Sequence, residues 1–251
     1  MSEKESANEL FHFTKEYDSI TSIMNKKFKP FFCVEDVSHI YDERKNITFA
    51  FPIVSFCDIP IERISTHKTN YGDYGIGLTK EWGIKNNLTI VNYSFYESLK
   101  SVSFRILIDY AAKKCTDLND ELSRSFRNAF NILIMTSKPY EGKKFDKLNK
   151  RWSTENIRFY NEREWRFLPL VDQLNWSLSP SDFSGNYDDF FEAIEIEQPK
   201  IQAKYGLDFT VSDIRYIFLK DKNETKKFLN DISANYCKTE LKEIENLTYI
   251  K

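Results

Sequence analysis

The chain is short of the residues that break regular structure and of those that bind metals. Its 251 residues include seven glycines, seven prolines, four cysteines and three histidines. So little Gly and Pro argues against a low-complexity or disordered chain. The cysteines, Cys33, Cys57, Cys115 and Cys237, make no Cys-x-x-Cys pair. That argues against a zinc ribbon and a disulfide framework, and leaves four small hydrophobes in a reducing compartment. The histidines, His12, His39 and His67, lack His-Glu-x-x-His spacing, so no metal is expected and a zinc hydrolase is disfavoured. No apolar run approaches the ~20 residues that span a bilayer, and the polar start MSEKESANEL has no signal-peptide core. A cytoplasmic protein without a membrane partner is expected. A net charge of −2 supplies no general field for nucleic acid or anionic lipid.

What is abundant is aromatic: 21 Phe and 14 Tyr within a 41% hydrophobic chain, enough for a substantial core. Residues 10–14 read as a strand. Asp18 can cap a helix over 19–27, with Ile20, Ile23 and Met24 on one face. The apolar run 49–57 reads as a buried strand within 47–59, followed by a short helix at 61–70. Residues 71–82 start as a Gly-rich turn and become a strand, and 88–93 alternate as another. Helices are expected at 95–113 and 117–137. The second carries Leu118, Leu122, Phe126, Phe130 and Leu133 at helical spacing, read as core. Beyond them come a lysine-rich loop (138–151), a strand (158–171), a loop (173–187) and strands at 190–197 and 213–219. A helix at 224–236, with Phe228, Leu229 and Ile232 inward, precedes a last strand at 247–250. Strands thus bracket a helical insertion at 95–137. With no repeat or long linker, the expectation is one α+β domain over 1–251 with a flexible tail at 1–8.

Several polar residues stand where apolar ones would be expected. His12 lies in the apolar run Leu10-Phe11-His12-Phe13-Thr14, where a neutral imidazole can both donate and accept; a satisfied core histidine is the plainer reading. In Tyr71-Gly72-Asp73-Tyr74-Gly75-Ile76-Gly77-Leu78 the glycines permit close backbone approach and the tyrosines offer stacking faces, or the run is simply a tight turn entering a strand. It is neither a Rossmann fingerprint nor a P-loop. Glu162-Arg163-Glu164 alternates, which on a strand sets both carboxylates on one face. Such a pair suits ribose binding or a cationic sugar transition state, or an edge strand with its charges in water. Asp58 before Ile59-Pro60 reads as a turn initiator. Lys143, Lys144, Lys147 and Lys150, beside Arg151 and Trp152, form the one basic stretch with an aromatic, which suits an RNA or DNA backbone or a solvated loop.

Taken in order, His12-Phe13-Thr14, Phe56-Cys57-Asp58-Ile59-Pro60, the Tyr71–Trp82 run and Glu162-Arg163-Glu164-Trp165-Arg166 resemble the AbiGi-type family. That bacterial abortive-infection family is regarded as the antitoxin side of a phage-resistance system. The order His, Tyr, Glu also resembles the ADP-ribosyltransferase fold, with its split antiparallel sheets. That second resemblance implies an NAD-dependent ADP-ribosyltransferase, with NAD as substrate and no metal. His12 and Glu164 would hold the nicotinamide ribose, with Thr14 also among the cofactor-binding residues, Tyr74 or Tyr71 would stack on nicotinamide, Glu164 would polarise the breaking bond, and Glu162 would orient the acceptor nucleophile. The target would be a macromolecule, with RNA or DNA suggested by the lysines. The alternative is a non-enzymatic antitoxin that binds and silences a partner toxin, with His12 and Glu164 structural.

Overall fold

The computed structural model describes residues 7–115, 117, 119–147, 149–169 and 177–249. In chain order the elements are β1 (Glu9–Thr14), α1 (Tyr17–Asn25), β2 (Phe31–Asp36), β3 (Thr48–Cys57), α2 (Ile64–Tyr71), β4 (Tyr74–Thr79), α3 (Lys80–Lys85), β5 (Thr89–Ile90), β6 (Asn92–Ser94), α4 (Leu99–Lys114), α5 (Glu121–Met135), β7 (Ser137–Pro139), β8 (Gly142–Asp146), β9 (Arg151–Ile157), β10 (Glu164–Phe167), α6 (Tyr187–Lys204), β11 (Ile214–Phe218), α7 (Glu224–Ile232), α8 (Lys238–Leu247) and β12 (Thr248–Tyr249). The mixed α+β class expected from sequence holds. Among the described residues an eight-stranded sheet runs β12-β11-β4-β1-β3-β10-β5, with β2 paired to β3, and two-stranded sheets join β6 to β7 and β8 to β9. No helix among them is long and apolar enough to cross a membrane.

The strands carrying His12, Tyr74 and Glu164 therefore lie in one sheet. β4 pairs β1 along its whole length, from Glu9↔Thr79 to Thr14↔Tyr74. Gly75 and Gly77 make this possible: a Cβ there would come within 2.7 and 2.8 Å of the Phe13 and Phe11 rings. The close approach seen in the sequence is thus to the chain's own aromatics. Gly72, at φ +119°, closes α2 where a side chain would strike the Thr14 carbonyl. β1 meets β3 in register only at Phe11↔Cys57, and beyond that pair the ladder stops. β3 changes partners along its length, pairing β2 from Thr48 to Ile53 and β10 from Val54 to Cys57.

The main core lies on the sheet face covered by α1, α7 and α8. Phe28, Phe56 and Trp82 interlock there with ring centroids 5.1–5.9 Å apart. Ile20, Ile23 and Met24 of α1 are buried as their spacing requires. The helix begins one residue before Asp18, which sits in its first turn and favours the positive end of the helix dipole.

Several expected elements differ. Residues 190–197 belong to helix α6: the Asn186 side chain caps it at the Asp188 and Asp189 N–H groups, and Phe190, Ile194 and Ile201 bury one face. The local Ile-Glu-Ile-Glu alternation mimics a strand, but the longer helical period prevails. α8 went unread, although Glu240 accepts from the Cys237 N–H as a cap and Ile244 is buried. The lysine-rich stretch forms β8 and the start of β9 rather than a loop. The strand expected at 158–171 shrinks to β10. Residues Phe159–Glu162 form a 3-10 turn, and Arg163 is left-handed at φ 46°. The apolar stripe of α5 is not core at its ends: Leu122 is 78% exposed and Leu133 43%. Leu118, most of 1–8, and residues 170–176 of the expected strand and loop lie outside the described residues.

Candidate functional site

β10 pairs β3 with Glu164 opposite Cys57 and Arg166 opposite Ser55. Those four share one face of the sheet, and Trp165 and Phe56 share the other. Glu164 and Arg166 are thus carried by one strand, two residues apart, into the same buried space. Arg166 is fully buried. Its Nε donates to Glu164 Oε1 (2.8 Å), its Nη2 to Glu164 Oε2 (3.1 Å) and Glu35 Oε1 (2.5 Å), and its Nη1 to the Met135 carbonyl at the end of α5 (2.7 Å). Ser55 Oγ donates to Glu164 Oε1 (2.5 Å). The Lys138 ammonium, from β7, sits between Glu162 Oε2 (2.8 Å) and Glu164 Oε2 (2.9 Å). The Tyr71 hydroxyl, at the end of α2, donates to Glu162 Oε1. Three carboxylates and two cations therefore join β2, β3, β7, β10, α2 and α5.

Burial dominates each protonation equilibrium, and the neighbours decide the sign. Burial pushes the Glu164 carboxyl up, but Arg166 and Lys138 outweigh it and hold it well below the usual carboxylate range. For Lys138, burial is outweighed by Glu162 and Glu164, which keep the ammonium charged. Glu35 goes the other way: burial outweighs Arg166 and raises its carboxyl, and its Oε2 is buried without a hydrogen-bond partner. Burial, with Glu162 beside it, lifts the Tyr71 phenol well above its ordinary value. Burial lowers Lys144 to about 8.

A cavity of about 770 Å³ opens beside this network, in the fork between β1 and β3, and is lined by His12, Thr14, Tyr71, Glu162 and Glu164 among others. Since Phe11 faces Cys57, the next residue, His12, falls on the sheet face opposite Glu164. An unbroken ladder would set Phe13 against Ser55. Instead the His12 ring reaches across, and Nδ1 donates to the Ser55 carbonyl at 2.8 Å. The imidazole thus replaces a missing ladder bond, and burial holds its pKa below 6.5 against that hydrogen bond. Tyr74 is elsewhere: it joins the α1 and α7 core, with its hydroxyl donating to Glu224 at 2.9 Å.

The structure therefore gathers Tyr71, Glu162 and Glu164 at one network and sets His12 and Thr14 on the same cavity, while Tyr74 lies apart. Glu162 and Glu164 converge on Lys138 although they are not neighbours on one strand face. Lys143, Lys144 and Lys147 line the cavity. Lys144 lies 3.5 Å over the Tyr71 ring, Lys147 lies over Phe31, and Lys150 pairs with Glu195 at 3.5 Å. Arg166, Lys138, Glu35 and Ser55 were not singled out from sequence. Only Arg166 had a local signal, the period-two Glu-x-Arg of a buried strand. Among the described residues no group of three or more His, Cys, Asp or Glu side chains could hold a metal.

A family model described as "Putative abortive phage resistance protein AbiGi, antitoxin" matches residues 26–220. That span holds Tyr71, Tyr74, Glu162 and Glu164 and leaves out His12 and Thr14. The "Abortive phage resistance protein AbiGi" of Lactococcus lactis subsp. cremoris is 29% identical over 221 residues, 82% of this chain and 87% of that protein. No solved structure matches. These matches overturn the expected enzyme, an ADP-ribosyltransferase with NAD as its substrate, because the matched family is one of antitoxins. In the structure both Glu164 oxygens are engaged, by Ser55, Arg166 and Lys138.

Proposed function

The chain belongs to the AbiGi family of putative abortive phage resistance antitoxins, and on that premise we propose that it silences a partner toxin by binding it. The observation that carries this reading is the way the buried charge network holds Glu164. Glu164 sits between Arg166 and Lys138 with every strong interaction satisfied. A carboxylate so held has little basicity left for general-base work, and one locked in two ion pairs cannot swing toward a reacting atom. Under this reading Glu162, Glu164, Tyr71, His12 and Thr14 shape and stiffen the cleft, and Tyr74 anchors α7.

Growth assays test this directly. Expression of the chain alone is expected to leave growth unchanged. Co-expression with the toxin encoded beside it is expected to restore growth that the toxin alone arrests, and the two proteins are expected to purify together. Growth arrest by the chain alone, or consumption of NAD by the purified protein, would contradict the proposal.

A further inference from the structure

The cavity in the fork between β1 and β3 carries more positive charge than the network beside it uses. Seven lysines and five carboxylates line it. Glu35, Glu162, Glu164 and Lys138 belong to the network, together with Arg166. Lys27 pairs with Asp208 at 3.5 Å. Lys26, Lys29, Lys143, Lys144 and Lys147 remain, against Asp18 and Asp36. None of these five meets a carboxylate among the described residues. Lys29 donates to the Gln202 and Tyr205 carbonyls (2.5 and 3.4 Å). Lys144 donates to the Asn70 carbonyl (3.2 Å) and lies over the Tyr71 ring, and Lys147 lies over the Phe31 ring. Lys26 and Lys143 have no side-chain partner among the described residues. Glu141, Asp146 and Glu155 of the β8–β9 hairpin do not line the cavity. Even with the network's extra carboxylate counted, the lining is positive, in a chain of net charge −2.

Size and lining select the ligand. Small-molecule sites enclose roughly 300–1,000 Å³, and this cavity holds about 770 Å³. Aromatic faces line it beside the lysines: Phe31 of β2, 49% exposed, and the half-buried Phe145 and Trp152 of the β8–β9 hairpin. An ammonium is a compact point charge that suits a phosphate, and aromatic faces suit a flat base. A peptide carries its carboxylates on separate residues, roughly 3.3 Å or more apart along an extended chain. A phosphate chain brings more negative charge into the same volume. We propose that the cavity binds a nucleoside polyphosphate, with its base against Phe31, Phe145 and Trp152 and its phosphates at the five lysines. NAD fits this lining worse, because it has only two phosphates and its nicotinamide ring is cationic. The proposal concerns a ligand of this chain by itself and does not rest on the antitoxin reading.

Calorimetry with the purified full-length chain tests this, with ATP and GTP as probes. At least one of them is expected to bind, with a Kd that rises with salt as charge contacts require. Adenosine or guanosine, without phosphates, and tripolyphosphate, without a base, are each expected to bind about tenfold more weakly or worse, and so is NAD. Lys143→Gln with Lys147→Gln removes two exposed ammonium groups and is expected to weaken binding of the nucleotide by about tenfold or more. Lys150→Gln, on the same hairpin but outside the cavity and paired with Glu195, is expected to bind as the unsubstituted chain does. Should the double variant melt early, Lys26→Gln decides instead: weaker binding supports the proposal, and unchanged binding overturns it. Binding of neither nucleotide by the unsubstituted chain overturns the proposal, as does an equal Kd for a folded double variant. Tripolyphosphate binding as tightly as the nucleotide overturns it in favour of a plain anion site, and tighter binding of an oligonucleotide overturns it in favour of a nucleic-acid site. NAD binding as tightly as the nucleotide overturns the part assigned to the phosphates.

Discussion

Replacing Arg166 with alanine is expected to cost about 3–5 kcal/mol of folding stability, the usual penalty for breaking a buried ion pair. Arg166 has no exposed surface, and its guanidinium serves Glu164, Glu35 and the Met135 carbonyl together. Its removal leaves two buried carboxylates short of a cation. Lys138 still reaches Glu164, but Glu35 is left with no ion pair among those described. The Arg166→Ala, Glu35→Ala double variant should therefore be more stable than the sum of its single changes predicts, because the second change removes the stranded charge. Urea unfolding checks both statements. A loss below about 1 kcal/mol for Arg166→Ala, the range of an exposed pair, would show that the network does not hold the fold.

Stability is expected to fall steeply once pH drops below about 6.5, the ordinary histidine value. Burial, with Lys100 nearby, pushes His39 down to about 3, and both its ring nitrogens are buried without a hydrogen-bond partner. Burial also lowers His12, against the Ser55 hydrogen bond. Below the unfolded value the unfolded chain takes up protons that the folded chain refuses, so acid favours unfolding. Each histidine then contributes a slope of about 1.4 kcal/mol per pH unit. For His39 the window runs from about 6.5 down to about 3. Glu164 adds a further loss of the same sign, which starts only as pH falls through the ordinary carboxylate value near 4.3. Glu35, raised by burial, acts above that value instead, where its proton uptake in the folded state partly offsets the histidine loss. Urea midpoints between pH 7.5 and 5 should show the histidine slope, and His39→Phe should reduce it by about one proton's worth. Identical profiles for the unsubstituted chain and His39→Phe would mean that the His39 imidazole titrates in the folded state.

The parts of this fold legible in the sequence are those set by local pattern. The apolar run in β3, the strand of His12 and the inward face of α7 all follow from residues close together in the chain. The site was only half legible. Glu162 and Glu164 stood out, but their convergence depends on the left-handed turn at Arg163 and on Lys138, which sits 24 residues before Glu162. Glu35 and Arg166 are 131 residues apart, and no local pattern links them. Of the expected His, Tyr and Glu residues, His12, Tyr71, Glu162 and Glu164 line one cavity, while Tyr74 packs into the α1–α7 core and His12 and Glu164 start from opposite faces of the sheet. The α5 stripe misled in another way, since helical spacing shows that a face is apolar but not whether this chain or another covers it.

The central claim, inhibition by binding, is tested most directly by titrating the purified toxin's activity with this chain. The account predicts a linear fall that reaches completion only when the chain matches the toxin in concentration, with no further change over time. Complete and progressive loss of toxin activity at a small fraction of its concentration would show turnover and contradict it.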